Sequence, residues 1–229
     1  MALTDNLAVI KKRIETACRL CGRSPDQVAL IAVSKTVSEH RVREAVAAGL
    51  YNFGENYIQE ARTKIPQVPG QSLTWHFIGH LQTNKVKYAV KLFDLIHTVD
   101  SLKLAREIDR QAAKIGKCQS ILIQVNVARE ESKWGISPSE ADALVRGVAP
   151  LEHIVLKGLM TMPPFFHQPE KVRPFFRELA RLKDRIDQLH VPGVKMGELS
   201  MGMSGDFEAA IQEGATLIRV GTAIFGERD

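Results

Sequence analysis

Residues 28–56 read VALIAVSKTVSEHRVREAVAAGLYNFGEN, and this stretch decides the fold. It opens on a short apolar run, Val28–Val33, and passes through Ser34-Lys35-Thr36 into a segment of helical period. There Ser38 stands as an N-cap, Val42, Ala45 and Val46 share one face, and Gly49 stops the helix. A second apolar run follows at Tyr51–Gly54. Strand, helix and strand within about thirty residues form the unit that joins neighbouring parallel strands.

Outward from this unit the alternation repeats. Further strand runs are Thr74–Ile78, Leu95–Val99, Ser120–Val127, Ile154–Met162, Glu198–Met201 and Thr216–Val220, which makes eight in all. Helical stripes lie between them, at Leu102, Ala105, Ile108, Ala112 and Ile115, and at Val172, Phe175, Phe176, Leu179, Leu182, Ile186 and Leu189. Ser137-Pro138-Ser139-Glu140 has the cap, first-turn proline and capping-box glutamate of a helix start, and Asp206–Glu213 is a short helix closed by Gly214. Several strands are apolar nearly throughout, as expected when both faces are covered. Eight such units predict a small closed (β/α)8 TIM barrel, an α/β fold. An open doubly wound sheet is the rival, and the strand number and the lack of a dinucleotide glycine fingerprint count against it. No Pro/Gly/Ser linker divides the chain, so residues 1–229 are expected to be one domain, with an extra N-terminal helix before the first strand.

Composition narrows the function classes. The 229 residues are 45% hydrophobic and 25% charged, an ordinary globular balance. No run approaches the roughly 18 apolar residues of a membrane span, and the N-terminus lacks a secretory pattern, so a cytoplasmic protein is expected. The net charge of +5 suits anionic small molecules. Its basic residues are scattered without an aromatic-rich stripe, which argues against nucleic acid. The three cysteines make no disulfide framework. Cys18 and Cys21 form a C-x-x-C, yet Cys21 continues the stripe Leu3, Leu7, Ile10, Ile14, Ala17, and no second Cys/His pair follows at zinc spacing.

In such a barrel the chemistry lies at the carboxyl ends of the strands. The first carries Lys35. Burial lowers a lysine's pKa toward nucleophilicity, and its compensation is a carboxylate, a phosphate or a Schiff base, unless it simply reaches solvent. The second carries Glu55-Asn56, where Asn56 can meet a ligand and Glu55 a cation. His76 and His80 would share one side of the third strand; a core role for His76 competes with a metal pair. The last two ends, Leu199–Asp206 and Arg219–Ala223, combine glycines with hydroxyls, which suits an anion. They would face Lys35 across the seam of the barrel. Arg219 lies within Leu217-Ile218-Arg219-Val220 and must have an acceptor: either the ring nitrogen of pyridoxal 5′-phosphate (PLP), or a carboxylate such as Glu198 or Glu55.

VSK (33–35), FGENY (53–57), WHFIGHLQTNK (75–85), SKWGI (132–136), GLMTM (158–162), LSMGMSGDFEAAIQEG (199–214) and RVGTAIFG (219–226) together resemble the pyridoxal phosphate homeostasis proteins, relatives of the barrel domain of alanine racemase. The resemblance implies PLP as cofactor, Lys35 as its Schiff-base lysine, Asn56 near the ring, Arg219 at the ring nitrogen, and Ser200, Gly221 and Thr222 around the phosphate. Ser204 joins them or caps the following helix. It also implies a carrier that holds PLP, limits the free aldehyde and hands it to PLP-dependent apo-enzymes. Racemases of this fold use a second domain and a second base, for which the chain is expected to have no room; Tyr51 and Tyr57 are the nearest candidates. A weak racemase or decarboxylase is the alternative, and a class I aldolase the third reading. Lys133 is either a second reactive amine or a solvated loop residue, Lys85, Lys87 and Lys91 either a partner's edge or a solvated face, and a monomer is expected.

Overall fold

The computed structural model describes residues 2–69, 72–130, 133–164, 166 and 168–226. In chain order the elements are α1 (Leu3–Leu20), β1 (Ala29–Val33), α2 (Glu39–Ala47), β2 (Asn52–Glu55), α3 (Ile58–Lys64), β3 (Thr74–Phe77), α4 (Val86–Leu92), β4 (Leu95–Val99), α5 (Leu102–Ala113), β5 (Gln119–Gln124), α6 (Ala141–Val148), β6 (Ile154–Met160), α7 (Arg173–Asp187), β7 (Glu198–Ser200), α8 (Phe207–Gln212), β8 (Leu217–Val220) and α9 (Thr222–Phe225). The eight strands pair in parallel in sequence order and close into a barrel, with β8 beside β1.

Local signals place the elements. Ser38 caps α2 by accepting from the Arg41 amide at 3.4 Å. Gly49 follows α2 with φ of +86°, which a side chain would resist. Glu140 accepts from the Ser137 amide at 2.9 Å, the return half of a capping box, although α6 itself begins at Ala141. Two strands end earlier than their composition suggests. Beyond Gln124 the backbone pairs with Ile136 of the following loop, and beyond Met160 the Thr161 amide makes a last donation to the carbonyl of Ser200, where β7 itself ends.

Two layers of apolar side chains result. The larger lies between strands and helices, and α5, α6 and α7 bury Ile108, Val145 and Leu179 into it. The smaller fills the barrel lumen with Ile31, Leu95, Leu122, Met160 and Leu217. The period of two along β8 turns Leu217 and Arg219 inward and Ile218 and Val220 outward. α1 covers α8 and α9 from outside; Arg13 donates to Glu208 at 2.6 Å, and Asn6 to the Ile224 carbonyl at 3.0 Å. The extra helix thereby braces the two segments that follow β7 and β8. Its buried stripe is Leu7, Ile10, Ile14, Ala17 and Cys18, while Cys21 sits at the C-cap, partly buried against the core.

Candidate functional site

β1, registered with Ile31 opposite Arg219 and Ala32 opposite Val220, brings Lys35 to the carboxyl-end mouth next to the turn after β8. A cavity of about 190 Å³ opens there, lined by Val33, Lys35, Asn56, Ile78, Met162, Met203, Ser204, Arg219, Gly221 and Thr222. This is small for a ligand pocket, which limits the occupant to a compact molecule. Lys35, Asn56, Ser204, Arg219, Gly221 and Thr222 therefore meet as the sequence predicts. Ser200 does not join the wall. It is fully buried, and its hydroxyl lies between Arg219 Nη1 at 2.5 Å and His97 Nδ1 at 2.9 Å. It is the last residue of β7 and points into the lumen, where it serves Arg219.

Lys35 is half-buried and its neighbours are clamped. The Ser34 hydroxyl donates to Glu55 at 2.7 Å, the Thr36 amide donates to Glu60 at 2.7 Å, and Lys64 Nζ donates to the Ser34 carbonyl at 2.6 Å. Lys64 also pairs with Glu55 at 2.9 Å and with Glu60 at 2.5 Å. Burial pushes the Glu55 carboxyl above the usual range, and Lys64 pulls against that shift. Glu55 thus has its cation, and that cation is Lys64. Lys64 and Glu60 escaped sequence reading; their i, i+4 spacing on one helix was the available signal.

Arg219 is the buried cation at the floor. Nη1 donates to Ser200 and Nη2 to the Thr161 carbonyl at 2.9 Å. Burial lowers its pKa to about 10, with Asp206 opposing the shift. The expected carboxylate partners are spoken for elsewhere, Glu55 by Lys64 and Glu198 by the Thr216 hydroxyl at 2.5 Å. The Arg219 amide is held by the Gly202 carbonyl at 3.0 Å.

The end of the cavity after β7 and β8 is built from backbone turns. Gly221 precedes α9, whose first amides have no acceptor within the helix. Met203 to Asp206 form a tight turn in which Asp206 accepts from the Met203 amide at 2.6 Å. Ser204 does not cap α8, because Asp206 occupies the N-cap position. Asn56 lines the cavity, and its Oδ1 is buried without a hydrogen-bond partner. Such an atom is costly unless a ligand supplies its partner. Gly79 lets the chain pass beneath it, since a Cβ there would lie 2.1 Å from the Asn56 carbonyl oxygen.

Other sequence candidates fall outside the cavity. β3 ends at Phe77, so His76 and His80 do not share a strand face. His76 is 3% exposed within the lumen, the core role, whereas His80 stacks on the exposed Trp134 with ring centroids 3.7 Å apart. Tyr51 and Tyr57 are both exposed; Tyr51 precedes β2 and stands at the opposite end of the barrel. Lys133 is an exposed loop residue, while Glu131 and Ser132 beside it lie outside the described residues.

A closed parallel barrel with a lysine, a buried arginine and the backbone turns after β7 and β8 gathered at its carboxyl-end mouth defines the class: a single-chain (β/α)8 barrel with a small, partly polar cavity at that mouth. The model of the alanine racemase N-terminal domain matches residues 2–229. The pyridoxal phosphate homeostasis protein of Aquifex aeolicus is 43% identical over 228 residues, spanning 100% of this chain and 99% of that protein. The protein of the same name from Escherichia coli K12 is 41% identical over 99% of this chain and 97% of its own. PipY of Synechococcus elongatus, solved with PLP bound, superposes with a TM-score of 0.84 at 36% identity, covering 98% of this chain and all of that one. Alanine racemase of Clostridium difficile shares the fold at a TM-score of 0.71 and 18% identity, and the match spans 57% of that enzyme. The chain belongs to the alanine racemase N-terminal domain family and, within it, to the pyridoxal phosphate homeostasis proteins.

Proposed function

We propose that the protein holds PLP reversibly on Lys35 and hands it on, maintaining the supply of this vitamin B6 cofactor without turning over substrate. The observation that carries this reading is the convergence of Lys35, Arg219 and the Ser204 and Gly221–Thr222 backbone on one small cavity. When bound, the cofactor supplies an aldehyde that a primary amine captures with loss of water. The residues divide the work. Lys35 would hold the aldehyde end, the first turn of α9 and the Ser204 turn would hold the phosphate, and Arg219 would face the ring nitrogen as a donor. Val33, Ile78, Met162 and Met203 supply apolar wall, and Asn56 gains the partner its amide lacks.

Two features favour holding over turnover. A guanidinium at the ring nitrogen keeps it unprotonated, which weakens the ring as an electron sink. Among the described residues, the cavity wall carries no second acid or base opposite Lys35, and a racemase needs one on each face. We take the protein to be a monomer that releases its cargo to apo-enzymes. The free thiols of Cys18, Cys21 and Cys118 suit a reducing cytoplasm. The purified protein should be yellow, and borohydride should fix the cofactor on Lys35, as located by peptide mapping, with Lys35→Ala losing both. A wild type that stays colourless in excess PLP overturns the reading. Steady stereochemical turnover of added amino acids favours the racemase instead.

A further inference from the structure

A file of buried polar groups runs from the floor of the cavity down through the barrel lumen. Arg219 Nη1 meets Ser200 Oγ at 2.5 Å, Ser200 meets His97 Nδ1 at 2.9 Å, His97 Nε2 meets His76 Nδ1 at 3.0 Å, and His76 Nε2 meets Asn52 Oδ1 at 3.3 Å. Ser200 and His97 are wholly buried, and His76 and Arg219 nearly so. The groups come from β8, β7, β4, β3 and β2, so only the closed barrel assembles them.

With Asn52 Oδ1 as the terminal acceptor and both rings neutral, the proton count along the file permits one arrangement. An arginine has no acceptor, so Arg219 donates to Ser200. The single hydroxyl proton of Ser200 then goes to its other neighbour, His97 Nδ1. His97 must therefore carry its proton on Nε2 and donate to His76 Nδ1, and His76 donates from Nε2 to the Asn52 oxygen. Each link holds one proton, both imidazoles are neutral, and every donor points away from the cavity. A proton added to His76 would set its Nδ1–H against His97 Nε2–H, and one added to His97 would displace the Ser200 hydroxyl proton from its acceptor. Burial agrees, since it lowers His76 to about 4 and His97 well below the ordinary histidine value, with the neighbouring Arg219 charge adding to the effect at His97.

We infer that His97 and His76, acting through Ser200, are positioning residues for Arg219: they commit the Ser200 hydroxyl as an acceptor and so aim the guanidinium at a ligand ring nitrogen that must itself accept. With Nη1 tied to Ser200 and Nη2 to the Thr161 carbonyl, the guanidinium cannot rotate about its axis, and its remaining N–H groups present a fixed donor direction. The file thereby selects heteroaromatic ligands with an unprotonated ring nitrogen. This inference rests on the proposed function for the identity of the ligand, and not for the chain of donors.

Two measurements test it. In the ligand-free protein with ¹⁵N-labelled histidine, His97 and His76 should both show protonated Nε2 and bare Nδ1 at neutral pH. An imidazolium, or Nδ1–H on either ring, overturns the inference. The second compares PLP with its analogue in which a C–H replaces the ring nitrogen. Ser200→Ala and His97→Phe should weaken PLP by about tenfold, the scale of one hydrogen bond to a charged group, and leave the analogue unchanged. His97→Gln, which can accept and donate in the same places, should restore most of the loss. Equal weakening of both ligands would mean that the file merely supports the barrel and would overturn the inference. Should His97→Phe fail to fold, Ser200→Ala and the tautomer measurement decide. A wild type that does not take up PLP sinks the proposed function, while the tautomers still judge the file.

Discussion

Thr36 holds φ at +60°, a left-handed conformation that costs a non-glycine residue about 1–2 kcal/mol. The strain is affordable because the Thr36 amide is tied to Glu60 and the preceding Ser34 carbonyl to Lys64. Lys35 is thus aimed by residues on either side of it, through a cluster that no part of the cavity wall contains. Lys64→Met should strand the buried Glu55 carboxylate and lower stability by about 3 kcal/mol in denaturant unfolding. Adding Glu55→Gln should recover most of that loss, because the charge then disappears with its partner. A single variant as stable as wild type would show that the ion pair contributes nothing.

At the scale of elements, the site consists of short loops set on strand ends, and their closeness leaves little room for side chains. Gly79, after β3, is the tightest case. An added Cβ would press on the Asn56 backbone, so Gly79→Ala should cost about 2 kcal/mol and weaken cofactor capture by displacing Asn56. Gly116, after α5, makes the control: its φ is +63° with open space around it, so Gly116→Ala should cost about 1 kcal/mol and leave capture unchanged. Thermal melting and cofactor absorbance separate the two outcomes; equal loss of capture in both would remove Gly79 from the site.

At the scale of the molecule, the barrel interior holds the Arg219 cation and keeps His76 and His97 neutral, with consequences for pH. The folded-state pKa of His76 is depressed to about 4 against an ordinary value of 6.5. The unfolded chain therefore binds this proton first, and stability is lost as pH falls from about 6.5 toward 4. The loss amounts to about 3 kcal/mol at its limit. Glu55 and Asp206, whose carboxyls burial raises, act in the opposite sense over acid pH. Comparison with His76→Gln isolates the histidine. The stability difference between wild type and variant should move against the wild type as pH falls, and a difference independent of pH would show that His76 is not held neutral.

The chain by itself determined the alternation of short apolar runs with capped helical stripes, because periodicity and capping act within a few residues. It therefore announced the barrel, and it announced that Lys35, Asn56, Arg219, Gly221 and Thr222 would meet at one mouth, because the strand ends converge there in that fold. Tertiary structure decided what each buried group touches. Ser200 reads like Ser204 four residues on, yet one faces Arg219 in the lumen and the other the cavity, since the backbone leaves the strand after Ser200 and turns at Gly202, where φ is +93°. Glu55 takes Lys64 and leaves Arg219 to a serine and a carbonyl, a choice made by which strand lies beside which helix. The file from Arg219 to Asn52 draws on five strands spread over most of the sequence. No local pattern encodes it, because each member meets the next only when the barrel closes and water is excluded from the lumen.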